Sequence, residues 1–298
     1  MNSSTAIPPP GNNVAIPGNS SDVALSDIPI ARSSGAVYST INDLTKLGVG
    51  ILNSTLLPLS TTHRWLKPLT HTDRLQFSVG APWEIIRFTH PESGVVTDIY
   101  TKSGDSGVYS SFLVLIPDFD AGFSILSTST SELRLTLLGL VGDLIVETVL
   151  PALRAQSIEE AGVNYIGTYE STVEGLNTTL TLCLNKTEGA PPGLVISNFI
   201  SNGTDVIAKE VLPNRLVPTI SSAAATEGKI AFRAVGQADA PREPTGYLSG
   251  VNQLSWFGLG AGTYGNVDIG LFVFELDEQG KATAVTIAGF RVRLVRAG

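Results

Sequence analysis

From about residue 157 to the C-terminus the chain is a succession of short β-rich runs at hairpin spacing, and this pattern limits the possible folds more than any other feature. The runs are NTTLTLCLN, GLVISNFIS, GKIAFRAV, IGLFVFELD and ATAVTIAGFRVRLV. They are rich in β-branched and aromatic residues, the composition of a half-buried pleated surface. Turn signals at Glu188-Gly189, Asn202-Gly203 and Gln279-Gly280 lie between or beside them. A small barrel or sandwich is the natural closure, so residues 158–298 are read as a β-rich, barrel-like domain.

The polar segment AQSIEEAG places the start of that domain near residue 157. Residues 1–30, rich in Pro, Asn, Ser and Gly without periodicity, read as an extended arm. Residues 31–157 mix helix and strand. In STINDLTKLGVGILN, Leu44, Leu47 and Ile51 recur at helical spacing, Ser39 or Thr40 can cap the start and Asp43 lies in the first turn. Strands are predicted at Val95 to Thr101, Ser110 to Ile116 and Gly122 to Ser127, with turns at Gly104 to Gly107 and Pro117 to Asp120, which makes an antiparallel meander. LRLTLLGLVGDLIVETVLPAL then predicts a buried helix from Glu132 to about Arg154, apolar nearly all round and able to cover one face of that sheet. Arg134, Asp143 and Glu147 interrupt it, so the sequence contains no unbroken apolar span of the roughly 18 residues that marks a membrane helix.

A chain of 298 residues exceeds what one hydrophobic core usually serves, which agrees with two domains. The net charge of -8 repels phosphate backbones, so nucleic acid is not an expected partner. A single cysteine, Cys183, excludes an internal disulfide and a cysteine metal cluster, and the three histidines are scattered, so neither metal nor cofactor is expected. The opening MNSSTAIPPPGNNVAIPGNSS lacks the basic start and apolar core of a secretory signal. Asn-x-Ser/Thr acceptors nevertheless occur at Asn2, Asn19, Asn53, Asn177, Asn185 and Asn202, a hint that related, longer chains are secreted. Asn53, Asn177, Asn185 and Asn202 are the glycosylation candidates.

TKSGDSGVYSS, from Thr101, admits two incompatible chemistries. Gly104-Asp105-Ser106-Gly107 copies the loop around a chymotrypsin-type nucleophile, which needs a histidine base and a buried aspartate upstream. The upstream histidines are His63, His71 and His90, none in an Ala-Ala-His-Cys context, and Val108 replaces the second glycine. The match reads as chance. The other reading draws on more of the chain. SSGAVYSTINDLTKLGVGILN, from Ser33 to Asn53, resembles the Gly-Gly-x-x-Ser-Thr-x-x-Asp-Leu segment downstream of the catalytic tyrosine in class C β-lactamase-related serine hydrolases. Lys102-Ser103-Gly104 and the following SSFLVLIPDFDAGFSILS look like that family's Lys-Thr-Gly strand and the two strands after it. WLKP at Trp65, GAPWEIIR at Gly80 and Tyr165 to Tyr169 resemble the fungal secreted members that carry a C-terminal β-domain.

The resemblance implies an α+β, partial β-lactamase/DD-peptidase-like fold, an antiparallel sheet covered by helices, ahead of the β-domain. It implies hydrolysis of amide, lactam or ester bonds through an acyl-enzyme. Lys102 would supply positive charge, Ser103 a hydroxyl to the substrate, Gly104 clearance, and Asp105 a backbone N–H to the oxyanion hole. The Asp105 carboxylate suits that place only if it points away. The family's Ser-x-x-Lys and upstream Tyr-x-Asn motifs have no counterpart here: no lysine is preceded by serine at the third position, and Tyr264-Gly265-Asn266 lies downstream of Lys102. The chain therefore reads as the C-terminal half of such a hydrolase, whether a fragment, an alternative start at Met1 or a non-catalytic paralogue. It is expected to be inactive alone, to meet a small-molecule or peptide substrate only when the missing half is supplied, and to self-associate through exposed sheet. The family is extracellular. The alternative is a non-catalytic binding or scaffold protein whose β-domain offers Trp256, Phe257 and Tyr264 as a contact surface.

Overall fold

The computed structural model describes residues 37–91, 93–186, 191–219, 228–236, 259–260 and 262–298. The N-terminal arm, Asn2, Asn19, Glu188-Gly189, Trp256 and Phe257 lie outside these. The chain divides into two compact units, one running to Leu153 without Pro91–Gly94 and the other comprising Pro91–Gly94 and the chain from Arg154 to the C-terminus.

The first unit begins with helices α1 (Ile41–Leu52) and α2 (Leu59–Trp65). Thr40 caps α1: its backbone is extended and its hydroxyl accepts the Asp43 N–H at 3.1 Å, satisfying a donor that has no partner inside the helix. The buried side of α1 contains Gly48, Gly50 and Ile51, while Leu47, predicted to share that side, is 41% exposed. The reason is steric. A Cβ on Gly48 would stand 3.3 Å from Leu115, so a glycine lets the helix lie close on the sheet where a larger residue would hold it off.

The sheet has six antiparallel strands in chain order: β1 (Thr70–His71), β2 (Phe77–Val79), β3 (Glu84–Thr89), β4 (Val96–Ser106), β5 (Tyr109–Ile116) and β6 (Ala121–Thr128). The predicted meander is β4 to β6. The predicted turn at Gly104 to Gly107 is corrected: β4 continues to Ser106, which pairs with Tyr109, and only Gly107 and Val108 make the connection. Gly107, at φ +60°, supplies the positive φ that a two-residue hairpin needs at its first central position, so the ladder runs almost to the tip. Alternation sends Ile85, Tyr100 and Leu115 to one face with Ile51, Leu66 and Trp83, and Ile99, Val114 and Ile116 to the other, against Val146 and Leu150.

Val146 and Leu150 belong to α3 (Arg134–Tyr165), which runs past the predicted end near Arg154. The expectation that this helix is buried is corrected. Leu138 and Leu150 are buried, but Leu137, Leu140, Val141 and Leu144 are 53%, 59%, 48% and 66% exposed, and their i, i+3, i+4, i+7 spacing makes one stripe. A helix covers a sheet with one side only, so a sequence apolar all round leaves the opposite side bare. By length and composition α3 is apolar enough to cross a membrane.

The second unit comprises β7 (Gly167–Ser171), β8 (Thr179–Leu184), β9 (Leu194–Ser201), β10 (Thr204–Asp205), β11 (Arg215–Thr219), β12 (Lys229–Ala234), β13 (Thr263–Tyr264), β14 (Val267–Asp268), β15 (Leu271–Leu276), β16 (Ala282–Ile287) and β17 (Val292–Arg296). The order β9, β11, β12, β15, β16, β17, β7, β8 returns to β9, which closes an eight-stranded antiparallel barrel. Asn202 and Gly203, both at positive φ, turn β9 into β10, as the sequence signal predicts. Tyr169, Phe199, Phe272, Phe274, Ile287 and Leu294 are fully buried. Phe274 lies 5.3, 5.9 and 5.4 Å from the rings of Tyr165, Tyr169 and Phe232 in edge-on arrangements. The barrel interior is therefore packed with side chains. The Tyr169 hydroxyl donates to the Tyr165 carbonyl at 2.8 Å, and burial pushes its pKa up to about 12. Arg296 donates to the carbonyls of Asn164, Ile166 and Ala282, tying the last strand to the end of α3, to the residue just after it and to the start of β16.

Candidate functional site

The Gly80 N–H donates to the Trp83 carbonyl at 2.8 Å, and the tight turn so closed delivers Glu84 as the first residue of β3. Glu84 faces Thr101, the last β4 residue that β3 pairs. Beyond it, Lys102 to Ser106 pair with β5 on one side and have no β3 partner on the other. Among the described residues that is an open strand edge, and it holds every residue of the Lys102-Ser103-Gly104-Asp105 motif.

Glu84 reaches along this edge. Its Oε1 accepts the Lys102 ammonium at 2.6 Å and the Ser103 hydroxyl at 2.9 Å, and its Oε2 accepts the Ser103 N–H at 3.0 Å. Lys102 also donates to the Ser103 carbonyl at 2.9 Å. Burial raises the Glu84 pKa, but the hydrogen bonds from Lys102 and Ser103 and the lysine charge outweigh it, and the carboxyl ends below its ordinary value. Ser103 and Glu84 have the spacing of a nucleophile and a base, yet a carboxylate made less basic in this way is poorly suited to take a proton.

The neighbouring Asp105 carboxylate is held elsewhere. Its Oδ1 accepts the Ser110 hydroxyl at 2.6 Å and its Oδ2 the Arg134 guanidinium at 2.8 Å. The Ser103 N–H points to the open edge, and strand alternation puts the Asp105 N–H on that same edge, two residues on. The N–H and the carboxylate of Asp105 thus serve different surroundings. A Cβ on Gly104 would stand 2.6 Å from the Ser111 hydroxyl, so the clearance that this glycine supplies is taken up by Ser111.

Ser106 is the last residue of β4, and among the described residues no hydrogen bond joins it to an imidazole. His90 binds Thr97 at 3.0 Å; Thr97 and Ser106 are nine positions apart on one strand, about 30 Å at the usual rise. His71 binds Ser78 at 2.9 Å. His63 lies on α2, its pKa lowered first by burial and then by Lys67. Among the described residues no Ser-His relay forms at the Gly-Asp-Ser-Gly loop. Glu84, Ser110 and Arg134 went unrecognised in the sequence: Glu84 stands inside GAPWEIIR, but nothing local indicates a partner eighteen positions away.

The family model described as "Beta-lactamase-like-like, C-terminal domain" matches residues 157–298. Over residues 157–298 the chain is thus similar to a β-lactamase-related C-terminal domain. A β-lactamase-like protein of Arthroderma benhamiae is 31% identical over 46% of this chain and 23% of its own length. The probable hydrolase clz13 of Cochliobolus lunatus is 28% identical over 61% of this chain and 28% of its own. The β-lactamase-like protein str6 of Strobilurus tenacellus is 25% identical over 72% of this chain and 70% of its own. Those names support a related hydrolase family, and the chain spans about a quarter of the length of the first two relatives.

The sequon asparagines differ in access. Asn53, the C-cap of α1, is exposed, as are Asn177 and Asn202, whose backbones are linked by the Gly203 N–H donating to the Asn177 carbonyl at 2.9 Å. Asn185 is half-buried and its amide donates to the Pro191 carbonyl at 2.8 Å. Tyr264-Gly265-Asn266 is the hairpin between β13 and β14, with Gly265 and Asn266 at positive φ. Among the described residues no group of three His, Cys, Asp or Glu is placed to hold a metal ion.

The Glu84 contacts also predict an acid response. Because the folded-state pKa is depressed, the contribution is present above the unfolded glutamate value and is lost as pH falls through the folded one. Urea unfolding of wild type and Glu84→Gln across pH 7 to 3 is expected to show a gap that narrows as the pH drops. The ion pair is more than a third exposed on both sides, so the gap at neutral pH is expected to be small, up to about 1 kcal/mol. A gap that widened on acidification would contradict the assignment.

Proposed function

We propose that Lys102, Ser103, Gly104 and Asp105 form the substrate edge of an acyl-transfer hydrolase site for amide, lactam or ester bonds, within a partial β-lactamase-like sheet. The observation that carries this is the open edge of β4, where an ammonium, a hydroxyl and two alternating backbone N–H groups stand in line. Lys102 attracts an anionic substrate group, Ser103 hydrogen-bonds it, and the Asp105 N–H is placed to meet a developing oxyanion. The tethering of the Asp105 carboxylate by Ser110 and Arg134 supports that role, since a free carboxylate would oppose negative charge there. The nucleophile and base of the acyl-enzyme route, the Ser-x-x-Lys and Tyr-x-Asn motifs, are not in this sequence at the required positions. Alone, the chain is a binding edge without an attacking group.

The test separates binding from turnover. The full chain is expected to bind a chromogenic cephalosporin weakly, with no hydrolysis of it or of a nitrophenyl ester and no labelling by a fluorophosphonate. Lys102→Ala is expected to weaken that binding about tenfold, the usual scale for one charge-assisted contact. Equal binding by wild type and Lys102→Ala would overturn the site. Absence of binding altogether would favour the scaffold reading, in which the outer surface of the barrel makes the contacts. The feature that favours this second reading is Tyr264, 60% exposed and carrying the Arg291 guanidinium 5.0 Å from its ring centre.

A further inference from the structure

We infer that Glu84 is a built-in carboxylate latch, occupying the place on the Lys102–Ser103 edge that the anionic group of a ligand would take, so that it must swing aside before one binds. The inference rests on the reading of that edge as a ligand site and adds the residue that sets its affinity.

Both oxygens of one carboxylate are used: Oε1 for the Lys102 ammonium and the Ser103 hydroxyl, Oε2 for the Ser103 N–H. These three donors differ in kind and come from two consecutive residues whose side chains would ordinarily leave opposite faces of a strand. Their convergence on a single planar anion marks a carboxylate-shaped receptor, and the only question is which carboxylate fills it. β3 begins at Glu84, so among the described residues the Ser103 N–H has no strand partner and the side chain substitutes for one. Glu84 is therefore bound as a ligand is bound, through its head group.

The latch is also free to open. The Lys102 and Glu84 side chains are 41% and 44% exposed, and an ion pair so open to water is cheap to separate. Released, the glutamate enters solvent and leaves behind an ammonium, a hydroxyl and an edge N–H for another anion. Among the described residues the Lys102 ammonium has Glu84 as its ion-pair partner, so removing that one carboxylate unmasks it.

The experiment uses the full chain and needs no turnover. Lys102 is acetylated with a water-soluble activated ester, and its rate is read by peptide mass spectrometry in wild type, Glu84→Gln and Glu84→Ala, with Lys229 and Lys281 as internal references. Lys102 is expected to react at least about fivefold faster in both variants. Benzoate is expected to slow that reaction in Glu84→Ala at a concentration about tenfold lower than in wild type. Glu84→Gln keeps the shape and an acceptor for the Ser103 N–H, so it carries the test if the alanine variant does not fold. Equal Lys102 rates in wild type and Glu84→Gln, or equal benzoate protection, would overturn the latch. Benzoate protection in a variant that still binds no cephalosporin would keep the latch and sink the hydrolase reading, so the two failures are distinguishable.

Discussion

Phe274→Ala is expected to lower the unfolding free energy of the barrel by about 3–5 kcal/mol, the usual cost of truncating a fully buried phenylalanine. Phe274 has no exposed surface and touches three aromatic rings, Tyr165, Tyr169 and Phe232, contributed by the end of α3 and by strands on different sides of the barrel. Those rings are themselves held: the Tyr169 hydroxyl is committed to the Tyr165 carbonyl. The surround cannot collapse without breaking that bond, so the void stays open and the cost belongs near the upper end of the range. Phe274→Leu, which retains most of the volume, is the control and is expected to cost markedly less. Urea midpoints at unchanged slope measure both, and a loss under about 1 kcal/mol for the alanine variant would show that the barrel core is looser than described.

Gly289→Ala is expected to cost about 1–3 kcal/mol, the overpacking range, although it adds a single methyl group. A Cβ there would lie 2.5 Å from the Ile269 Cα and 2.7 Å from the Asp268 carbonyl oxygen. These are backbone atoms, which no rotamer change can move. Relief requires a shift of the Asp268–Ile269 segment, which ends β14 and leads into β15, and whose Asp268 pairs with Arg233 on β12. Gly203→Ala is the contrasting case: its φ of +79° is awkward for alanine, but nothing lies within 4 Å of the new methyl. Its cost is expected to stay near 1 kcal/mol or below. Calorimetry with amide exchange at Ile269 and Gly270 would separate the two, and equal effects would contradict the steric account.

Much of the barrel was legible because hairpin strands carry their signal locally. The runs at β8, β9, β12, β15, β16 and β17 have the alternation and turn residues that a short strand needs. β7 and β11 lack so distinct a run, and β1 and β2 are two and three residues long; strands of that kind exist only because a neighbour offers a ladder to join. The end of β4 shows the same limit from the other side. Gly104 to Gly107 reads as a turn by composition, but pairing with β5 draws Gly104, Asp105 and Ser106 into the strand, and that extension is what aligns the candidate site. The apolar pattern of α3 predicts a helix correctly and its burial incorrectly, because burial depends on how much sheet is available to cover it.

The sequence by itself determined what nearest neighbours along the chain can decide: the Thr40 cap, the Asn202-Gly203 turn, the alternating runs and the Lys102-Ser103-Gly104 motif. The tertiary structure alone decided that the runs close into a ring with an aromatic filling, that the Gly-Asp-Ser-Gly loop is far from His90, and that Glu84 sits on Lys102 and Ser103. Propensity and periodicity act over a few residues, whereas a salt bridge or a barrel closure joins positions that only the path of the folded backbone brings together.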